Sequence, residues 1–187
     1  MIQRVLPFRY ALVGAALVVS ALCAELPVAR AATNNAITVY APIKASLQNV
    51  FIPIALPTTF PLAKMPSSTR IYADIQDNSL SATTYIVDLG YTKNCNGGGA
   101  CGYGEVTGGW TGDTPGVLAP LKGGVPITLQ GGVKATFYPF TCGASCGDSV
   151  ILWHHKGIPY TVSIKAGSRS NVLIMANSAV ANTHSAS

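Results

Sequence analysis

From Arg70 onward the chain alternates apolar and polar residues with a period of two. "RIYADIQ" sets Ile71, Ala73 and Ile75 against Tyr72 and Asp74, and "TTYIVDLGY" resumes the alternation after the turn-rich "DNS". That period sends successive side chains to opposite sides of a pleated strand, so each run predicts a β-strand with one face toward a core. "EVTGGW", "VPITLQ", "VKATFYPF", "SVILWHH" and "IPYTVSIK" continue the series, divided by turn sequences such as "LKGG" and "QGG". The last two runs are joined through "HKGI", where Gly157 can take the positive φ that a tight hairpin requires. Tyr160, Val162 and Ile164 alternate with Thr161, Ser163 and Lys165, which predicts a strand with one wet side, whereas "SVILWHH" is apolar on both sides and predicts a central strand.

Two other segments follow different rules. "IPIALPTTFPLAKMPSSTR" places four prolines between Pro53 and Pro66, which excludes a long helix. With Phe51, Ile54, Leu56, Phe60 and Leu62 to bury, it predicts an extended, ordered loop. Ahead of it, Ile37, Val39 and Tyr40 favour a short strand, and "KASLQNV" makes one turn of helix at most. Near the end, Val172, Ala176, Ala179 and Val180 recur at i, i+4, i+7 and i+8 beside Leu173, with Ser168 or Ser170 available as a cap. The expected fold is α+β: a twisted antiparallel sheet with one C-terminal amphipathic helix covering a face.

The first 31 residues have the three parts of a secretory signal: Arg4 and Arg9, the apolar run from Ala11, and "ARA" from Ala29 to Ala31. Residues 1–31 are therefore expected to be removed near Ala31, Cys23 with them. Residues 32–187 are expected to form a single β-rich domain, secreted or periplasmic. Removing Arg4, Arg9, Arg30 and Glu25 lowers the formal charge from +5 to +3. The remaining Lys and Arg are scattered singly from Lys44 to Arg169, with no basic run and no interleaved aromatics, so nucleic acid is excluded as an expected partner.

Cys95, Cys101, Cys142 and Cys146 remain, an even number in a chain expected to be exported, which is the arithmetic of two disulfides. Three pairings satisfy it. Cys95 with Cys101 and Cys142 with Cys146 is favoured, because each pair is close in sequence and spans a Gly-containing turn.

"TCGASCGDSVILWHHKG" concentrates candidate chemistry. A zinc site would join Cys142 and Cys146 to His154 or His155, but consecutive strand residues face opposite ways and export favours oxidised cysteines, so no metal is expected. "GASCG" matches a nucleophile elbow around Ser145, yet an elbow leads from strand into helix and the next run here is a strand. The C-x3-C and C-x5-C spacings miss the redox motif. "GGGACG" satisfies G-x-G-x-x-G, but no helix follows to receive a pyrophosphate. No catalytic residue and no cofactor is expected. Of the aromatics, Tyr103 and Trp110 lie in Gly-rich surroundings and are the expected ligand-contacting pair.

The order "PIALPTTFP", "CNGGGACGYGEVTGG", "CGASCGDSVILWHHKGIPYTVSIK", "VLIMANSAV" resembles a group of uncharacterised exported bacterial proteins, many of them cyanobacterial. The resemblance implies a shared fold and export, and it transfers no activity. The function expected is that of a non-enzymatic envelope or extracellular module that binds or builds, with an envelope protein, a glycan or a membrane surface as partner. The alternatives are a serine hydrolase at Ser145 and a membrane-surface protein. The last is motivated by a charged fraction of 10% and a mean hydropathy of +0.36.

Overall fold

The computed structural model describes residues 36–62, 66, 68–76, 79–95, 99–109 and 123–185. The expected signal segment 1–31 and Trp110 lie outside them. The described strands form one antiparallel sheet: β1 (Tyr72–Asp74), β2 (Leu80–Ser81), β3 (Thr84–Gly90), β4 (Gly102–Gly109), β5 (Val125–Thr128), β6 (Lys134–Tyr138), β7 (Asp148–His155) and β8 (Ile158–Lys165). Their spatial order is β1-β3-β4-β8-β7-β6-β5, with β2 added to β3. Every strand expected from the alternation is present. The short β2 is an addition, in a stretch that reads as turn.

β7 and β8 form a hairpin whose two-residue turn, Lys156–Gly157, has φ of 51° and 80°. Such turns match the twist of the strands they join. β7 is an interior strand, as its two apolar faces predict. β8 departs from expectation. It is buried on both faces, with Thr161 and Ser163 as inaccessible as Tyr160 and Val162. It lies between β4 and β7, and Thr161 and Ser163 are enclosed between polar Thr107 and Glu105 of β4 and apolar Leu152 and Val150 of β7 instead of being wetted.

One face of the sheet carries the core: Tyr85, Val87 and Leu89 of β3, Val106 of β4, Tyr160, Val162 and Ile164 of β8, Ile151 and Trp153 of β7, and Phe137 of β6. Helix α3 (Arg169–Ser185) buries Val172, Met175, Ala176, Ala179 and Val180 in the same cluster. Its first turn is capped as expected, the Asn171 amide donating to Ser168 Oγ at 3.3 Å.

The N-terminal segment corrects the sequence reading. Ile37, Val39 and Tyr40 lie in a short helix, α1 (Ala36–Tyr40), followed by a 3-10 turn at Ala41–Ile43 and by α2 (Lys44–Leu47). Burial of Val39, Ile43, Leu47 and Val50 against the core outweighs the strand preference of the β-branched residues.

Residues 52–62 of the Pro-rich segment bury Leu56, Phe60 and Leu62, while Phe51 ahead of them stays 83% exposed. Prolines cannot donate to a ladder, so its backbone is held by side chains. The Ala55 amide donates to Tyr85 Oη at 2.9 Å, and Tyr160 Oη donates to the Pro53 carbonyl at 2.9 Å. From α3, Asn182 Nδ2 donates to the Leu56 carbonyl, and Ser178 Oγ accepts from the amides of Thr58 and Thr59. Tyr85 reaches Ala55 across Gly108, where any Cβ would collide with its ring.

Candidate functional site

The disulfides are Cys95–Cys101 and Cys142–Cys146, the pairing expected from spacing. Cys95 is buried, whereas the Cys142–Cys146 turn lies at the surface between β6 and β7. Ser145 is exposed within that turn, where its carbonyl accepts from the Gly143 amide. His154 lies at the opposite end of β7 from Asp148, roughly 20 Å along the strand at ~3.3 Å per residue. Asp148 instead accepts from Ser163 Oγ at 2.7 Å. The structure therefore does not bring serine, histidine and aspartate together. Among the described residues no group of three metal-ligating side chains converges.

Tyr103 is placed otherwise than expected. It is 2% exposed and packs edge-on against Phe60 and Tyr91. Although it starts from Gly-rich surroundings, its ring turns inward to fill the core, and burial raises its hydroxyl pKa with the neighbouring Tyr91 adding to the effect. A cleft of about 580 Å³ does open beside it, lined by Arg70, Tyr72, Tyr91 and Ala100, with walls of mixed polarity.

A second opening has different chemistry. Where α1, α2, the Pro-rich segment and the end of α3 meet, they leave a groove of about 660 Å³. Its apolar wall is Tyr40, Leu47, Ile54 and Leu56; Thr58, Gln48 and Asn182 supply amide and hydroxyl groups, and among the described residues Lys44 is the charged one lining it. Ligand sites typically have roughly 300–1,000 Å³ of mostly apolar lining with a few placed polar groups, and this groove has that make-up.

Local sequence accounts for each wall. The 3-10 turn and the four-residue α2 put Ala41 and Lys44 toward the opening while Ile43 points into the core. Pro53 and Pro57 keep the opposite wall extended, and Asn182 fixes it by its bond to Leu56.

Tyr40 is the hinge between groove and core. Its ring lines the groove and packs at 6.1 Å from Phe60. Its hydroxyl is buried and has no hydrogen-bond partner among the described residues. Desolvation raises its pKa far above that of a free phenol, and Tyr85 and Tyr103 push in the same direction, so it stays protonated.

None of the groove residues was singled out by sequence. The available signal was an apolar Pro-rich segment with more to bury than a loop requires. No protein family, curated protein or solved structure matches the chain.

Proposed function

We propose that the chain is an exported, non-enzymatic binding module that takes one small amphiphile, with an apolar body and an anionic head, in the groove between α1–α2 and the Pro-rich segment. The observation that carries this reading is the groove's composition: apolar walls with Lys44 as the one cation at the opening among the described residues. Burying the apolar body supplies affinity, at about 25 cal/mol per Å² of apolar surface removed from water. Lys44 selects the charge of the head through a charge-assisted hydrogen bond. Export is supported by the secretory pattern of the first 31 residues and by two disulfides, which persist in oxidising compartments.

Titration with dansyl-labelled undecanoic acid tests the site. Saturable binding at one molecule per chain is expected, abolished by Leu56→Arg and weakened roughly tenfold by Lys44→Glu, with the folded far-UV spectrum retained. Absence of saturable binding sinks the reading, and equal affinity for the methyl ester sinks the anionic head. The exported chain is expected to begin at Ala32 and to weigh four hydrogens less than its reduced form; an intact mass that includes residues 1–31 would remove the export part.

A further inference from the structure

The two faces of the sheet differ in charge. All four carboxylates among the described residues, Asp74, Asp88, Glu105 and Asp148, stand on the face opposite α3. Register lines three of them up across adjacent strands. Asp74 is opposite Asp88, Asp88 is opposite Glu105, and Glu105 faces Ser163 of β8. Asp148 joins the row by accepting from Ser163 Oγ. Directly opposed residues in an antiparallel pair have Cβ atoms about 4.5–5.5 Å apart, and like charges there work against the pairing.

The hydrogen bonds along the row are neutral: among the described residues each carboxylate accepts from an uncharged donor. The Ile75 amide donates to Asp74, Gln76 Nε2 to Asp88 at 2.6 Å, and Thr107 Oγ1 to Glu105 at 2.9 Å. Lys165, in register with Asp148, turns its ammonium to the Gly99 carbonyl.

Water reaches the middle of the row only in part, Asp74 and Asp148 at its ends being half-buried. Asp88 is 6% exposed, Glu105 is largely enclosed, and Thr107, Thr161 and Ser163 beside them are buried. Thr161 Oγ1, in the next pair on the same face as Glu105 and Ser163, has no hydrogen-bond partner among the described residues. Two directly opposed carboxylates largely withdrawn from water and bonded to neutral donors cannot both be ionised without a large penalty.

We infer that Asp88 and Glu105 form a proton-holding pair, which makes the β3–β4 seam a pH-responsive element: the folded sheet keeps a proton there and is loosened when the proton leaves. The groups facing Glu105 are Asp88 from β3, Asp148 from β7 and the hydroxyls of Thr107 and Ser163; Asp74 extends the row on β1, and Lys165 is the nearest cation on β8. The core face, with α3 and the N-terminal segment, lies on the other side of the sheet and contributes no charge to the row.

The titration behaviour agrees with the geometry. Burial pushes Glu105 up to about 7, Asp88 and Asp148 add to the rise, and the bond from Thr107 only partly offsets it. Asp88 is raised by burial and by Asp74, against the opposing bond from Gln76. The two titrate as a unit. A carboxyl whose folded pKa lies above its unfolded value stabilises the fold below the ordinary glutamate range, and that contribution is lost as pH rises through about 7.

Thermal unfolding of the full chain between about pH 5.5 and about pH 8 tests this, alongside the carboxyl-carbon NMR titration of Glu105. The unfolding temperature is expected to fall by about 5 °C over that range. Glu105→Gln flattens the slope, Asp148→Asn retains most of it, and the Glu105 carbon titrates near neutrality. Parallel slopes in wild type and Glu105→Gln overturn the inference, since other titrating groups then carry the effect. A Glu105 midpoint in the ordinary glutamate range overturns it too, and this second measurement decides the matter if Glu105→Gln does not fold.

Discussion

Tyr85 and Tyr40 carry the same hydroxyl into the same core, and its value to the fold has opposite sign at the two positions. Tyr85 Oη accepts from the Ala55 amide in a segment whose prolines leave few other ways to satisfy the backbone. Tyr85→Phe strands that amide in a buried place and is expected to cost about 1–3 kcal/mol. Tyr40 Oη has no partner among the described residues, so Tyr40→Phe removes an unpaid desolvation penalty and is expected to leave stability unchanged or to raise it by about 1 kcal/mol. Urea denaturation of the two variants measures the contrast, and equal losses would refute it. Burial keeps both phenols protonated, so the contrast does not depend on the working pH near neutrality.

At the level of elements, the two disulfides close loops of similar size and differ in setting. On chain entropy alone each contributes about 2 kcal/mol. Cys142 is at the surface, so replacing Cys142 and Cys146 with serine is expected to cost that amount and no more. Cys95 is 2% exposed, so serine at positions 95 and 101 adds the cost of a buried hydroxyl and destabilises further. The urea midpoint at constant m-value separates the two pairs.

The same elements show what the sequence made readable. The strands declare themselves because Ile71, Ala73, Tyr85, Val87 and Leu89 keep a strict period of two, and the C-terminal helix because Val172, Ala176, Ala179 and Val180 keep a helical one. α1 was hidden because tertiary packing outweighs the strand preference of Ile37 and Val39. The second face of β8 was hidden because alternation reports polarity, and polarity reports exposure only where nothing covers the strand. Asp88 and Glu105 are each legible as polar positions; that they face one another depends on register, which single strands do not specify. The groove was invisible because it joins residues more than a hundred positions apart, such as Leu56 and Asn182.

Across the whole molecule, protection is graded from the middle of the sheet to its edge. β8 sits between β4 and β7 and is buried on both faces, whereas β5 is an edge strand with three of its four residues exposed. Amides of β8 are therefore expected to exchange with solvent only on global unfolding, and those of β5 by local opening. Hydrogen-exchange mass spectrometry is the measurement, and equal protection would mean that the sheet opens as one unit.

The bond between Asn182 and the Leu56 carbonyl also has a meaning in time. Synthesis delivers the wall of the groove near residue 56 long before the helix that secures it. A nascent chain therefore carries the apolar residues of the groove before the groove, and a shortened product lacking residue 182 loses both that bond and a lining residue. Occupancy by a ligand would thus register that the chain has been made through its C-terminal helix and that this helix has folded back on the segment near residue 56.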